Sequence, residues 1–395
     1  MEQVKTEQTA TRQGAGEQAI IKQTVTEQTA AGQTVTEQIT AEQRIVILQD
    51  VILTMMEWYR RTARDLPWRE RPEAYRVWIS EIMLQQTRIE AVKPYYDRFL
   101  KQFPGVRELA EAPEEQVLKC WEGLGYYSRA RNLQKAAKEI TALGGFPDTY
   151  DGLLALPGIG DYTASAIAAA AFGRREPAVD GNVLRVMTRL TDCHDDISDP
   201  KTKRAVRAAL AEVMPEEPAD IRIFNQAMME LGATVCGPNT APRCDDCPVS
   251  GLCLGRQRGT AETLPVKKAK KERRVEEKTV LLLMRDRKIA LRKRPKTGLL
   301  AGLWEFPNVE GALDETAAGA AVEAMGLSVI DWQSRLTAKH IFTHVEWRMT
   351  GYALTVRGDG PAELEWVDAA GLAARSVPSA FARYYEEAKR ELEMK

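Results

Sequence analysis

Four cysteines crowd one short stretch, Cys236, Cys244, Cys247 and Cys253, while Cys120 and Cys193 stand alone. In a reducing compartment such a cluster points to a metal site before disulfides. Thiolates spaced C-x7-C-x2-C-x5-C suit zinc or a [4Fe–4S] cluster. Zinc sites commonly pair two C-x2-C knuckles, and only one such pair is present, which favours iron–sulfur.

Two carboxylates stand in unusual surroundings. Glu81 lies in the largely apolar run Trp78-Ile-Ser-Glu-Ile-Met-Leu-Gln-Gln-Thr87. Partial desolvation would raise its pKa and suit it to donate a proton near neutral pH. Gln85 and Gln86, in the same run, are uncharged donor–acceptors suited to base edges. Asp180 heads Asp180-Gly-Asn182, which suits a helix N-cap or a carboxylate held beside a reacting sugar. About twenty residues upstream, Leu156-Pro-Gly158-Ile-Gly160 precedes an expected helix over Tyr162–Phe172. Its glycines allow a tight turn whose exposed N–H groups favour an anion. Each feature alone has a plainer reading: a solvated glutamate, a cap, a helix–helix turn. Their combination does not.

The elements that must position these groups fall into four segments. Residues 1–43 repeat Glu-Gln every ten residues, are rich in Thr, Gln and Glu and hold no aromatic residue, which predicts a disordered tail. Residues 44–258 read as helical, with amphipathic runs such as Val117–Tyr126 and Ala164–Phe172 separated by Gly/Pro breaks. Residues 259–277 read as a polar connector containing Lys267-Lys-Ala-Lys-Lys271. Residues 278–395 read as a separate α+β domain, with strands at Thr279–Met284, Ile289–Arg292 and Trp347–Leu354 and helices at Glu315–Met325 and the C-terminus. The formal net charge is −1, so a nucleic-acid partner must be held by local patches and backbone N–H groups. No signal peptide or membrane span is legible, since the apolar run Ile45–Met56 is broken by Gln49 and Asp50. The expected setting is a cytoplasmic monomer, with the chromosome.

The hairpin, the following Val179-Asp180 and the four cysteines resemble the endonuclease III superfamily of base-excision enzymes. Leu66-Pro-Trp68-Arg69, Ser80–Thr87, Gly123-Leu-Gly-Tyr126-Tyr127 and Val179–Val183 resemble its adenine DNA glycosylase (MutY) branch. The resemblance spans roughly residues 44–390. It implies a multidomain fold: an all-α helix-hairpin-helix glycosylase domain with an iron–sulfur loop, then an α+β Nudix-like domain for lesion recognition. It implies that Glu81 protonates adenine, Asp180 faces the sugar, and Tyr162 and Asn182 position them. Trp68 and Arg69 would line the adenine pocket. Gln86 and Tyr126 would wedge into the base stack, and Leu156, Gly158, Gly160 and Arg243 would lie against DNA. Cys236, Cys244, Cys247 and Cys253 would hold one [4Fe–4S] cluster, although the first cysteine gap is one residue longer than the family's.

Bifunctional members carry a lysine where this chain has Tyr162, so the resemblance implies a monofunctional enzyme acting on double-stranded DNA with A:8-oxoguanine or A:G mispairs. Phe342-Thr343-His344 resembles the family's Phe-Ser-His lesion-reading tripeptide, with Thr for Ser. The region Gly319–Leu327 keeps Glu323 but lacks the arginine and paired glutamates of an active Nudix hydrolase. Two other readings are an endonuclease III-like lyase for oxidised pyrimidines or T mismatches, and a non-catalytic DNA-binding or redox scaffold.

Overall fold

The computed structural model describes residues 40–238, 241–268 and 272–394. The segment expected to be a disordered tail therefore lies almost wholly outside the described residues, as do positions 239 and 240 of the first cysteine gap and 269–271 of the connector.

The first helix, Ala41–Thr62, starts slightly earlier than the repeat suggested. Leu48, Val51, Ile52, Met55 and Met56 are buried at helical spacing, and this stripe packs on helices Pro200–Val213 and Pro218–Thr234. The helical region carries two apolar cores. One surrounds Trp78, Phe99 and Trp121, and the other surrounds Val51, Met187 and Phe224. Helix Asp161–Phe172, buried continuously from Thr163 to Ala170, contributes to both. A helix apolar all round belongs at the centre of a domain, and here it marks the seam between the cores.

The run Val117–Tyr126 is not one helix. Helix Glu114–Trp121 stops where Gly123 (φ 99°), Gly125 (φ 71°) and Tyr126 (φ 48°) enter the left-handed region. The glycines permit that turn, and Tyr126 is carried out of the helix on it.

The C-terminal region is one seven-stranded mixed sheet in the order β3-β2-β1-β6-β5. Its strands are β1 (Arg274–Arg285), β2 (Lys288–Lys293), β3 (Trp304–Glu305), β4 (Asn308–Glu310), β5 (Ser328–Ile341), β6 (Val345–Arg357) and β7 (Leu364–Val367). β1 and β6 are parallel; β4 pairs with β1 and β7 with β2, both antiparallel. Helix Glu315–Ala324 covers one face through Ala318 and Val322, and helix Ala382–Met394 covers the other through Tyr384 and Ala388. β1 reaches back into the polar connector because Arg274–Glu277 pair with Val345–Arg348. A ladder satisfies backbone groups whatever the side chains.

The two regions are joined by more than the chain. Leu303, fully buried, belongs to the Trp78 core. Lys293 Nζ bonds Glu115 at 2.8 Å, and the Val377 N–H donates to Glu122 at 3.0 Å.

Candidate active site

Helix Ala74–Leu84 carries Glu81, 8 % exposed among buried neighbours. Tyr162, at the start of the central helix, donates its hydroxyl to Glu81 Oε2 at 2.7 Å and lies 3.2 Å from Met229 Sδ. Burial pushes the Glu81 carboxyl up to about 7; the Tyr162 bond opposes this, the Asp180 charge adds to it, and Arg69 opposes it. The same burial, with both carboxylates nearby, holds the Tyr162 phenol well above its ordinary range, so it stays a donor.

Asp180 caps helix Gly181–Leu190, accepting the Val183 N–H at 2.8 Å and the Asn182 side-chain amide at 2.7 Å. It is thus a cap and a carboxylate near Glu81 at once. Burial raises its pKa, against these bonds and Arg185. Arg185 bonds Asn182 Oδ1 (2.8 Å), Gly232 O (2.8 Å) and Cys236 O (2.8 Å). Gly232 lets the helices close here: a Cβ on it would sit 2.7 Å from Asn182 Cβ.

Glu81 opens into a small slot of about 70 Å³ also lined by Trp68, Arg69, Ser80, Tyr59, Arg222 and Gln226. Asp180 is not part of the slot wall. Trp68 is both wall and core, buried edge-on against Tyr96. Arg69 is fixed from behind, donating to Gln226 (3.1 Å), Arg64 O (3.0 Å) and Glu230 (2.7 Å). Glu230, 1 % exposed, also takes Arg64 at 2.6 Å. Burial alone would raise the Glu230 pKa, but the two guanidinium groups hold it below the ordinary value. Gln226, Glu230, Arg64 and Arg185 were missed by sequence reasoning. Gln226 and Glu230, four residues apart in the largely apolar stretch Ile221–Leu231, were the available signal.

In the hairpin Leu156 and Ile159 are buried; Gly158 sits at φ 75°, where a Cβ would meet Asn132 at 2.5 Å. Gly160 stands at the N-terminus of the central helix. Gln86, exposed, also lies in the left-handed region at φ 58°. Tyr126, half exposed, meets Thr343 across the two regions, hydroxyl to hydroxyl, at 2.9 Å. Phe342 packs on Trp347 and His340, while His344 is exposed. Arg243, exposed, bonds Thr234 O and pairs with Asp246 at 3.5 Å.

Cys236, Cys244, Cys247 and Cys253 line a single apolar pocket with Val186, Leu190 and Val249. Arg189 donates to Cys236 Sγ at 3.2 Å. Burial pushes Cys247 up to about 11. Among the described residues no three metal-binding side chains converge closely enough to clasp one ion.

Residues 79–216 match the family described as HhH-GPD superfamily base excision DNA repair protein, and residues 279–387 match the NUDIX domain. The chain is 35 % identical to the adenine DNA glycosylase of Homo sapiens over 78 % of this chain and 67 % of that protein. It is 34 % identical to that of Rattus norvegicus over 85 % and 78 %. The adenine DNA glycosylase of Buchnera aphidicola (strain APS) is 34 % identical over 66 % and 75 %. With a protonatable carboxyl on a slot wall, a second carboxylate close by and these relatives along most of its length, the chain belongs to the adenine DNA glycosylase family of base-excision repair.

Proposed function

We propose that this DNA glycosylase removes adenine mispaired with 8-oxoguanine, and more weakly with guanine, from duplex DNA and leaves an abasic site. The observation that carries the reading is the Tyr162–Glu81 bond on the wall of a slot, with Asp180 close enough for its charge to act on both.

Adenine is a poor leaving group, and the duplex hides its glycosidic bond, so the nucleotide must be extruded. Gln86 and Tyr126 enter the stack as wedges. Trp68 and Arg69 receive the base. Glu81, protonated, delivers its hydrogen to N7. The glycosidic bond breaks, its electron pair stays with the now neutral base, and the sugar becomes oxocarbenium-like. The Asp180 carboxylate, held by Asn182, faces that positive charge. Water adds hydroxyl at C1′ and releases a proton. Without an amine at position 162 no Schiff base forms there, so strand cleavage does not accompany base loss.

The hairpin Leu156–Gly160 and Arg243 contact phosphates, and Phe342, Thr343 and His344 read the oxidised guanine. Four thiols lining one apolar pocket, with a guanidinium at Cys236, fit a [4Fe–4S] cluster held by Cys236, Cys244, Cys247 and Cys253. When bound, such a cluster staples the loop after helix Pro218–Thr234. The protein acts as a cytoplasmic monomer; among the described residues no helix is long and apolar enough to cross a membrane.

Adenine release from an A:8-oxoguanine duplex, followed with and without alkali, tests the reading. Release by the native protein, its loss in Glu81→Gln with DNA binding retained, and strand breaks only after alkali are expected. Strand breaks without alkali at the rate of base loss would instead indicate a lyase.

A further inference from the structure

Arg129 lies 9 % exposed, and among the described residues no carboxylate pairs with it. Its Nη1 donates to Ile82 O (2.7 Å), Met83 O (3.1 Å) and Gln85 O (2.7 Å). Its Nη2 donates to Leu124 O (3.1 Å) and Gly125 O (3.3 Å). The guanidinium carbon lies over the Trp121 ring (5.3 Å to its centroid) and the Tyr126 ring (5.5 Å). Burial lowers its pKa to about 10, which leaves it charged at neutral pH.

The first three carbonyls end the helix that carries Glu81, where the last carbonyls lack intrahelical donors and the helix dipole is negative. The other two belong to the glycine loop. Each set leads directly into a non-glycine residue in the left-handed region, Gln86 after Gln85 and Tyr126 after Gly125. Such conformations persist where the surroundings over-determine them. One planar fork therefore fixes both turns and lies over the ring of the half-exposed Tyr126. A lysine ammonium, a single point of charge, cannot span both carbonyl sets.

We infer that Arg129 is a positioning residue that locks Gln86 and Tyr126 into one rigid pair, so that both enter the duplex together during nucleotide extrusion. The inference rests on the wedge roles proposed above. It makes extrusion, rather than proton delivery, the step that Arg129 controls.

The test places 2-aminopurine, quenched when stacked, in the adenine position opposite 8-oxoguanine. Extrusion is read as the fluorescence rise on binding, in the Glu81→Gln background so that no base is cleaved. Tyr126→Ala should weaken extrusion, and Arg129→Lys should weaken it about tenfold with the thermal midpoint little changed. In the Tyr126→Ala background, Arg129→Lys should add less than about a further twofold, because the two act as a unit. Fluorescence unchanged in Tyr126→Ala would overturn the wedge reading and the inference with it. An effect of Tyr126→Ala without one of Arg129→Lys, or fully additive losses, would overturn the inference alone. If Arg129→Lys does not fold, hydrogen exchange on the native protein decides. Amides at 85–88 and 123–127 should open together at one rate, and independent opening would overturn the coupling.

Discussion

Tyr162 donates its phenol hydrogen to Glu81 Oε2 at 2.7 Å, so a buried phenol is bonded to the proposed proton donor. The bond favours the ionised carboxylate, while burial favours the neutral acid, and burial prevails. The site is tuned between these two opposing effects.

The single-turnover rate of adenine release should fall tenfold per pH unit above about 7, as Glu81 loses its proton. Tyr162→Phe removes the bond that stabilises the carboxylate, so the alkaline limb should move to higher pH. A limb that stays in place would separate Tyr162 from the titration of Glu81.

The same shift has a stability signature. The folded carboxyl binds its proton more tightly than the unfolded one, so between the ordinary value of 4.5 and about 7 the folded state holds more protons. Stability therefore declines as pH rises through that window and stays lower above it. Glu81→Gln should raise the unfolding free energy at pH 8 by up to about 3 kcal/mol and by much less at pH 4. Denaturant titrations at the two pH values measure this, and equal effects at both would contradict it.

Glu230 holds Arg64 and Arg69 at the back of the slot. Glu230→Ala leaves two guanidinium groups facing each other without their counter-ion, and a loss of about 3–5 kcal/mol in urea unfolding is expected. Glu230→Gln should lose less stability yet still weaken adenine release, since Arg69 loses its charged anchor and is held only by neutral acceptors. A wild-type rate in that variant would detach the network from the slot.

Thr343 meets Tyr126 through its hydroxyl. Thr343→Val keeps the shape and deletes the donor–acceptor, so the preference for adenine opposite 8-oxoguanine over adenine opposite guanine should shrink by about tenfold. Thr343→Ser should retain it. The ratio of the two single-turnover rates is the measurement, and an unchanged ratio in the valine variant would remove Thr343 from lesion reading.

Purified protein should contain four irons per chain with visible absorption near that of a [4Fe–4S] centre. Cys247→Ser should lose both, together with DNA affinity. Stoichiometric zinc in place of iron would reverse the cofactor assignment.

Local chemistry was legible in the sequence because it depends on residue type and short spacing. An acid in an apolar run is desolvated wherever that run is buried, and Asp before Gly-Asn suits a helix N-cap, as Asp180 proves to be. The strands of the C-terminal region followed in the same way from short apolar runs, since a sheet covered on both faces buries consecutive residues, as at Thr279–Met284. The resemblance carried the family. What the linear pattern could not contain were groups joined across long separations. Glu230 lies far along the chain from Arg64 and Arg69, Arg129 from Gln85, and Thr343 from Tyr126. The helix expected over Val117–Tyr126 ended early because two glycines released the turn that Arg129 then fixes. A guanidinium buried against five carbonyls, three of them 44 to 47 residues away along the chain, is defined only when those backbone atoms converge, and that convergence belongs to the tertiary fold.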